Sequence, residues 1–449
     1  MEYAVQIEFH KGVHMAAKAQ ATITQFGAAV SLPEPKTIEQ MGVRKSLLED
    51  LALKTIYVTA TPSLVELAAS MRLSYRLVDE LFARLRSEQL AEVTGMHGNG
   101  RLIALTSRGR SRALELLALN QYVGAAPVAL EDYIQGVRRQ SVRDLNVHSE
   151  DIRRAFSSLV LQEDTLNKLG TALNSGSAIF LYGPAGSGKT AIATTLPRVL
   201  AGDHVWIPYS VQADGQFITV YDPHTHVKLE DPVPDDHDAR WVLCQRPAVV
   251  VGGELTIEML ELQLNPTSKF YTAPVQMKAN NGVLIIDDFG RQRVRPEELL
   301  NRWVVPLDRR VDFLTLAGGR KIQIPFELFV VFATNVNPST LGDAAFLRRI
   351  QTKIRVGEVA RGRFHEIFAR VCDEWGMNYE AGIVDELIDI IRSTYREPLR
   401  ACHPRDIVNQ IRWAAHYENR QPILDRKALH TAVEAYFVSE ADEEELKAE

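Results

Sequence analysis

Eight consecutive residues, Gly183-Pro184-Ala185-Gly186-Ser187-Gly188-Lys189-Thr190, bring three glycines, a lysine and a hydroxyl together in an order suited to holding phosphate. Glycine lets backbone N–H groups close around phosphate oxygens where a side chain would collide. A helix opening at Thr190 adds the positive end of its dipole. Lys189 is then placed to reach the β and γ phosphates of ATP, and the Thr190 hydroxyl to ligate Mg2+. A second group completes such a site. Val283-Leu284-Ile285-Ile286 is an apolar run that ends in two acids, Asp287 and Asp288. At the carboxyl edge of a parallel sheet these acids lie beside the phosphate loop. There Asp287 would hold the Mg2+ through water, and Asp288 would orient and polarise an attacking water.

The elements around these residues fit that chemistry. An apolar strand over 178–182 leads into the glycines, and helical residues 191–193 follow them. The glycine pattern alone would arise by accident in about one chain of this length in a hundred; the flanking strand and helix make accident rarer. Paired acids elsewhere are usually loop or cap residues, but here they follow four β-formers downstream of a phosphate loop. Residues 151–360 alternate strands and helices, the signature of a doubly wound parallel sheet in an α/β fold. Residues 361–438 have helical apolar spacing throughout (Ile383, Leu387, Ile390, Ile391; Ile407, Ile411, Ala414) and predict a C-terminal helical lid.

At 449 residues the chain exceeds one ordinary core, which predicts two or three domains. Hydrophobic residues at 46% and charged residues at 24% are ordinary for a globular protein, and a net charge of −6 gives no global attraction to nucleic acid or anionic membrane. Cys244, Cys372 and Cys402 show neither metal spacing nor a disulfide framework, which fits a reducing cytosol. No apolar run approaches the length of a membrane span, so the expectation is a cytoplasmic protein without membrane insertion. Residues 1–40 hold a short alternating stretch (Tyr3, Val5, Ile7, Phe9) that would add a strand of unassigned role, and residues 439–449 form an acidic tail expected to be disordered. Residues 121–150 read as a connector. A long span separates the phosphate loop from the acids. It predicts a hairpin, with arms at 217–221 and 227–229 turning at Asp222-Pro223, followed by an acidic, Pro-rich stretch over 230–238. His224, His226 and His237 lie beside those acids, but without a second constrained pair of ligands a solvated loop is the favoured reading over a metal site.

With both Walker patterns in place, residues 151–438 resemble the AAA+ superfamily of P-loop NTPases. Phe329-Val330-Val331-Phe332-Ala333-Thr334-Asn335 is similar to the sensor 1 strand, and the resemblance implies that Asn335 hydrogen-bonds the γ-phosphate or the attacking water. The segment from Asp343 through Arg348, Arg349 and Ile350 resembles the arginine-finger segment. There Arg349, next to the apolar Ile350, is favoured over Arg348 to enter a neighbouring subunit's site. His403-Pro404-Arg405 resembles sensor 2, whose arginine couples the lid to nucleotide. One departure stands out: the family's usual Asp-Glu is Asp287-Asp288 here, one methylene shorter at the water-positioning acid. Two alternating runs joined by Gly318-Gly319 predict a hairpin before sensor 1, which resembles the MoxR-like and enhancer-binding-activator branches. The Gly-Ala-Phe-Thr-Gly-Ala loop of those activators is absent.

Residues 41–120 resemble a winged helix-turn-helix: helix, helix, turn, helix, hairpin, helix. The helix over 75–88 offers Arg76, Arg84 and Arg86, and the wing offers His97, Asn99 and Arg101. Yet residues 1–110 carry 13 Lys/Arg against 11 Asp/Glu, and Asp79, Glu80 and Glu88 on that helix argue against deep groove entry. Protein docking is therefore favoured over duplex DNA. The resemblances together imply an Mg-dependent ATPase that forms a homo-oligomer, a hexameric ring by analogy, and remodels a protein client in the manner of MoxR-like chaperones. The alternative is a DNA-binding regulator whose oligomerisation is controlled by ATP.

Overall fold

Five short runs of β-branched and aromatic residues build the central sheet: β1 Ala178–Tyr182, β2 Ala248–Val251, β3 Val283–Ile286, β4 Phe329–Thr334 and β5 Thr352–Arg355. In the computed structural model, which describes residues 30–437 apart from 98–99, 231–233, 235 and 342–346, they pair in parallel in the order β5-β1-β4-β3-β2. Parallel strands linked by crossovers are covered on both faces, so they read as continuous apolar runs. Here Ile179 and Leu181 of β1 face a core with Ile192 and Val199, while Ala178 and Phe180 face an opposite core with Trp303 and Phe326. The expected α/β fold, a doubly wound parallel sheet with a helical lid, is the one the chain adopts. Register then fixes the carboxyl edge. Tyr182 pairs with Thr334, and Ile286 with Phe332, so Gly183, Asp287 and Asn335 emerge side by side.

The lid is four helices, Arg361–Glu374, Ala381–Ser393, His403–Tyr417 and Arg426–Tyr436, closed over its own core of Phe364, Phe368, Leu387, Ile407 and Leu429. At the other end come helices Lys45–Thr59, Leu64–Met71 and Tyr75–Ser87, the antiparallel hairpin Ala91–His97/Gly100–Leu105, and helix Ser107–Leu119. Ser63 and Glu66 form a reciprocal capping box that starts the second of these helices. A register shift at Gly95 lets the pairing of this hairpin continue to His97↔Gly100. Residues 1–29, the wing residue Asn99, residues 343–346 of the arginine segment and the acidic tail from 438 lie outside the described residues. No helix among the described residues is long and apolar enough to cross a membrane.

Two expectations are replaced. Residues 121–150, read as a connector, carry helix Leu130–Arg139, with Tyr133 and Val137 buried. The Tyr133 hydroxyl accepts from Asn280 at 2.9 Å, and the Gln140 side chain bonds both backbone groups of Trp206. The hairpin expected across Asp222-Pro223 is absent. Strand Gln216–Thr219 instead turns back on Ser210–Ala213 through Asp214 and Gly215, both at positive φ. Asp-Gly is the stronger hairpin signal, because a two-residue turn needs positive φ at both positions. Residues 227–229 run antiparallel to Trp241–Gln245 instead.

His226 pins this inserted region to the α/β core. Its Nδ1 accepts from the Asp222 N–H at 2.9 Å and its Nε2 faces the Lys278 carbonyl at 2.9 Å. Burial drives its pKa from 6.5 down to about 4, since a buried imidazolium loses its hydration and Nδ1 is already occupied as an acceptor. The folded pKa lies below the unfolded one, so the stability it contributes is complete above pH 6.5 and lost as pH falls toward 4; about 2 kcal/mol is gone by pH 5. Thermal unfolding of the full chain should therefore show a smaller drop in Tm between pH 7 and pH 5 for His226→Gln than for wild type. An equal drop would mean that His226 titrates normally.

Candidate functional site

The phosphate loop begins where β1 ends, and its shape follows from what crowds it. Gly183 (φ 151°) has the Val356 carbonyl where a Cβ would stand, only 2.0 Å away. Gly186 (φ 73°) has the Cys402 sulfur 2.5 Å from that position. Both glycines are thus required by neighbouring elements as well as by positive φ. Helix Lys189–Thr195 starts directly after Gly188. The Lys189 side chain is buried and its Nζ donates to the Pro184 carbonyl at 2.8 Å, so the ammonium lies folded into its own loop. Burial lowers its pKa, opposed by the charges of Asp288 and Asp287.

The acids meet this loop from β3. The Thr190 hydroxyl donates to Asp287 Oδ1 at 3.1 Å, the contact expected of two groups that share one metal ion. Burial raises the Asp287 pKa, and the Thr190 hydrogen bond opposes it. The Asp287 N–H continues the ladder to Val251 at 2.8 Å, but Asp288 breaks it with φ 47°, a left-handed conformation that Asp tolerates better than most residues. Asn335 Nδ2 donates to Asp288 Oδ1 at 3.4 Å from the end of β4, the strand between β1 and β3. Lys189, Thr190, Asp287, Asp288 and Asn335 thus converge on one sheet edge.

The lid adds Arg400 and Ala401, which belong to no motif, and gives Cys402 a place against the loop and His403 one beside Arg400. The Cys402 N–H donates to the Gly186 carbonyl at 3.1 Å, and Arg400 and Ala401 also lie against the loop's glycines. Arg400 Nε and the Ser187 hydroxyl are buried polar atoms without a hydrogen-bond partner. His403 accepts the Arg400 N–H at 3.3 Å through Nδ1, and burial, then the Arg400 charge, pushes its pKa down to about 4. Arg405, the expected lid arginine, lies elsewhere: its guanidinium pairs with Glu374 at 3.0 Å on an exposed surface. The signal for Arg400 was the arginine three residues before the helix start, but only the packing of the lid distinguishes it from Arg405.

Arg349 is held on its own chain, with Nε 2.7 Å from Asp308 and the neighbouring Ile350 fully buried; Arg348 is exposed. The three histidines take no common site. His226 is a buried hydrogen-bonding residue, His237 stacks on Trp206, and no group of three or more His, Cys, Asp or Glu among the described residues is placed to hold a metal. Magnesium at the sheet edge needs no such cluster, because one carboxylate, one hydroxyl and phosphate oxygens suffice. The orphaned Ser187 hydroxyl and Arg400 Nε, together with the glycine cradle, fit an anionic phosphate group.

The family model for a domain of unknown function, DUF8689, matches residues 360–435, which are the helical lid. Comparison with curated proteins returns no match. Among solved structures the chain is similar to the Holliday junction branch migration motor RuvB of Thermotoga maritima, at 15% identity over 64% of this chain and 75% of that one, with a TM-score of 0.37. A mutant of the same RuvB gives 14% identity over 69% and 78% with a TM-score of 0.37. NtrX of Brucella abortus in complex with ADP gives 14% over 66% and 60%, also at 0.37.

The two lid arginines can be separated by experiment. Arg400→Ala should weaken ATP binding about tenfold, the size of a lost charge-assisted hydrogen bond to phosphate, whereas Arg405→Ala should leave it unchanged. Titration with a fluorescent ATP analogue reads both; the reverse result would return the role to Arg405.

Proposed function

We propose that the chain is an Mg-dependent AAA+ ATPase that works as a homo-oligomeric ring and remodels a protein client, in the manner of the MoxR-like branch. The observation that carries this reading is the convergence of the phosphate loop, the acid pair, Asn335 and lid residues 400–402 at one sheet edge. Lys189 would exchange the Pro184 carbonyl for the β and γ phosphates, and Thr190 and Asp287 would hold Mg2+. The metal, when bound, would supply positive charge to offset the charge developing on the phosphates. Asp288 and Asn335 would hold the attacking water between them, Asp288 accepting its proton. Arg349 would leave Asp308 to reach the phosphates of the next subunit, and the lid contact at Gly186 would convey nucleotide state to the lid.

The hairpin Val311–Thr315/Lys321–Pro325 supports the MoxR-like reading. Its Leu314, Leu316, Ile322 and Ile324 share a core with the inserted strands, and Arg320 at its turn pairs with Asp214 at the turn of the Ser210–Thr219 hairpin. Movement at the ATP site would therefore be passed to the inserted region and the N-terminal unit behind it.

A second reading, a DNA-bound regulator acting through the N-terminal unit as a winged helix, gains one specific observation. The acids on helix Tyr75–Ser87 and just beyond it are neutralised internally: Asp79 by Arg101, Glu80 by Lys45 and Glu88 by Arg84. Arg76 and Arg86 have no side-chain partner among the described residues, and both are exposed. The two readings separate by anisotropy titration of the full chain on duplex DNA at several salt concentrations. Binding no tighter than that of an acidic control protein would end the regulator reading.

Lys189→Ala should abolish ATP binding, and Asp288→Asn should leave binding intact while lowering turnover by about two orders of magnitude. Unchanged turnover in Asp288→Asn would assign the water to another residue. If Arg349 acts across subunits, specific activity rises with protein concentration. Mixing inactive Arg349→Ala and Asp288→Asn subunits then restores part of the activity, since some interfaces pair both intact residues. Concentration-independent activity with no restoration would make Arg349 a structural residue and the ATPase a monomer.

A further inference from the structure

The turn that carries both acids is held by one side chain outside the motif. Asp288 at φ 47° and Gly290 at φ 105° fold the backbone back on itself directly after β3, which leaves the Asp287 and Asp288 carbonyls and the Gly290 N–H pointing away from any ladder. The Asp288 carbonyl also accepts the Arg291 N–H at 3.0 Å, and Gln292 bonds all three groups, as the one partner of the other two. Its Nε2 donates to the Asp287 carbonyl at 2.8 Å and the Asp288 carbonyl at 3.2 Å, and its Oε1 accepts the Gly290 N–H at 2.8 Å. The same turn is tied to β4 by the Phe289 N–H to Ala333 at 2.7 Å and the Thr334 hydroxyl to the Phe289 carbonyl at 2.6 Å. Phe289 is buried between Phe180 and Phe332, so the far side of the turn is fixed by packing. On the near side, where the Asp288 carboxylate meets Asn335, Gln292 supplies the side-chain bonds and the Arg291 N–H one backbone bond.

We infer that Gln292 is a positioning residue for turnover: it holds Asp288 in its left-handed conformation with the carboxylate aimed at Asn335, and so sets where the attacking water is held. This rests on the proposed role of Asp288. The chemistry requires glutamine in particular. Two N–H donors and one carbonyl acceptor of a single amide are used at once, and three different backbone groups receive them. Glutamate would present acceptors to two carbonyls, asparagine, one methylene shorter, keeps the amide and could make part of the set, and leucine of similar volume satisfies none of the three. An ordinary left-handed Asp can relax toward more populated backbone regions once these bonds are gone. The phosphate loop has its own anchors at Val356, Thr334 and Cys402, so nucleotide affinity does not depend on Gln292.

The test uses the full chain and three variants, Gln292→Leu, Gln292→Asn and Asp288→Asn, with Mg-ATP affinity, kcat and KM measured for each. Gln292→Leu should keep affinity and KM within about twofold while kcat falls roughly tenfold to hundredfold, the loss typical of a misplaced catalytic group. Gln292→Asn, which keeps the amide, should recover part of that loss. In the Asp288→Asn background, adding Gln292→Leu should change kcat no further, because the group it positions is already disabled. A merely structural residue would behave differently: affinity and kcat would fall together, asparagine would rescue nothing, and the double variant would lose activity additively; any of these overturns the inference. If Asp288→Asn itself turns over normally, the reading of Asp288 fails first. If Asp288→Asn is inactive and Gln292→Leu is not, only the positioning role fails.

Discussion

The last two residues of β4 hold the carboxyl edge of the sheet together. The Thr334 carbonyl receives the Gly183 N–H at 3.3 Å, the Ala333 carbonyl receives the Phe289 N–H at 2.7 Å, and the buried Thr334 hydroxyl binds the Phe289 carbonyl. One strand end thus anchors the start of the phosphate loop on one side and the acid turn on the other. This is possible only because β4 lies between β1 and β3 in the sheet. With any other strand there, Thr190 and Asp287 would not be set at hydrogen-bonding distance. A threonine suits the position because it continues the β-ladder while its hydroxyl reaches across the strand end, where valine would leave a buried carbonyl unpaired.

The lid is attached to the loop as closely as the sheet is. Gly186 gives its carbonyl to Cys402 and leaves no room for a side chain beneath the Cys402 sulfur. Cys402 in turn lies 3.7 Å from the Tyr436 hydroxyl, which donates to Asp406 at 2.8 Å, so the segment crossing the loop is braced by the last lid helix. The segment that meets the loop is thus continuous with a packed helix core of Phe364, Leu387 and Ile407.

On the opposite side the insertion between β1 and β2 is folded into the molecule. Tyr133 and Gln140 staple the 121–150 segment to Asn280 and Trp206, His226 ties the insertion to Lys278, and Tyr271 accepts the Ala317 N–H from the hairpin at 2.7 Å. Asp238 and Arg240 form a buried pair whose guanidinium also reaches the Pro127 carbonyl. Such a pair is weak evidence of stability, but once desolvated it fixes one arrangement of the elements that it joins.

The candidate site was legible locally because most of it lies in contiguous residues. Phosphate binding needs glycines, a lysine and a hydroxyl in one turn, and an acid pair needs only an apolar strand before it; both patterns lie in single segments of the sequence. The doubly wound sheet and the helical lid were legible for the same reason, since a run such as Val283–Ile286 or the spacing of Ile383, Leu387 and Ile391 declares its element alone. Other features depended on contacts between distant segments. Arg400 and Arg405 are equivalent in sequence, and only lid packing sends one to the phosphate loop and the other to Glu374. The Asp214-Gly215 turn was written in the sequence, but Asp222-Pro223 competed with it. Backbone pairing decided, because Phe217 could bury itself against Tyr122 of the N-terminal unit only in the observed hairpin. Gln292 carries no motif at all. Its role exists because the acid turn leaves the Asp287 carbonyl and the Gly290 N–H without a backbone partner, and such groups are created by tertiary folding, not by residue type.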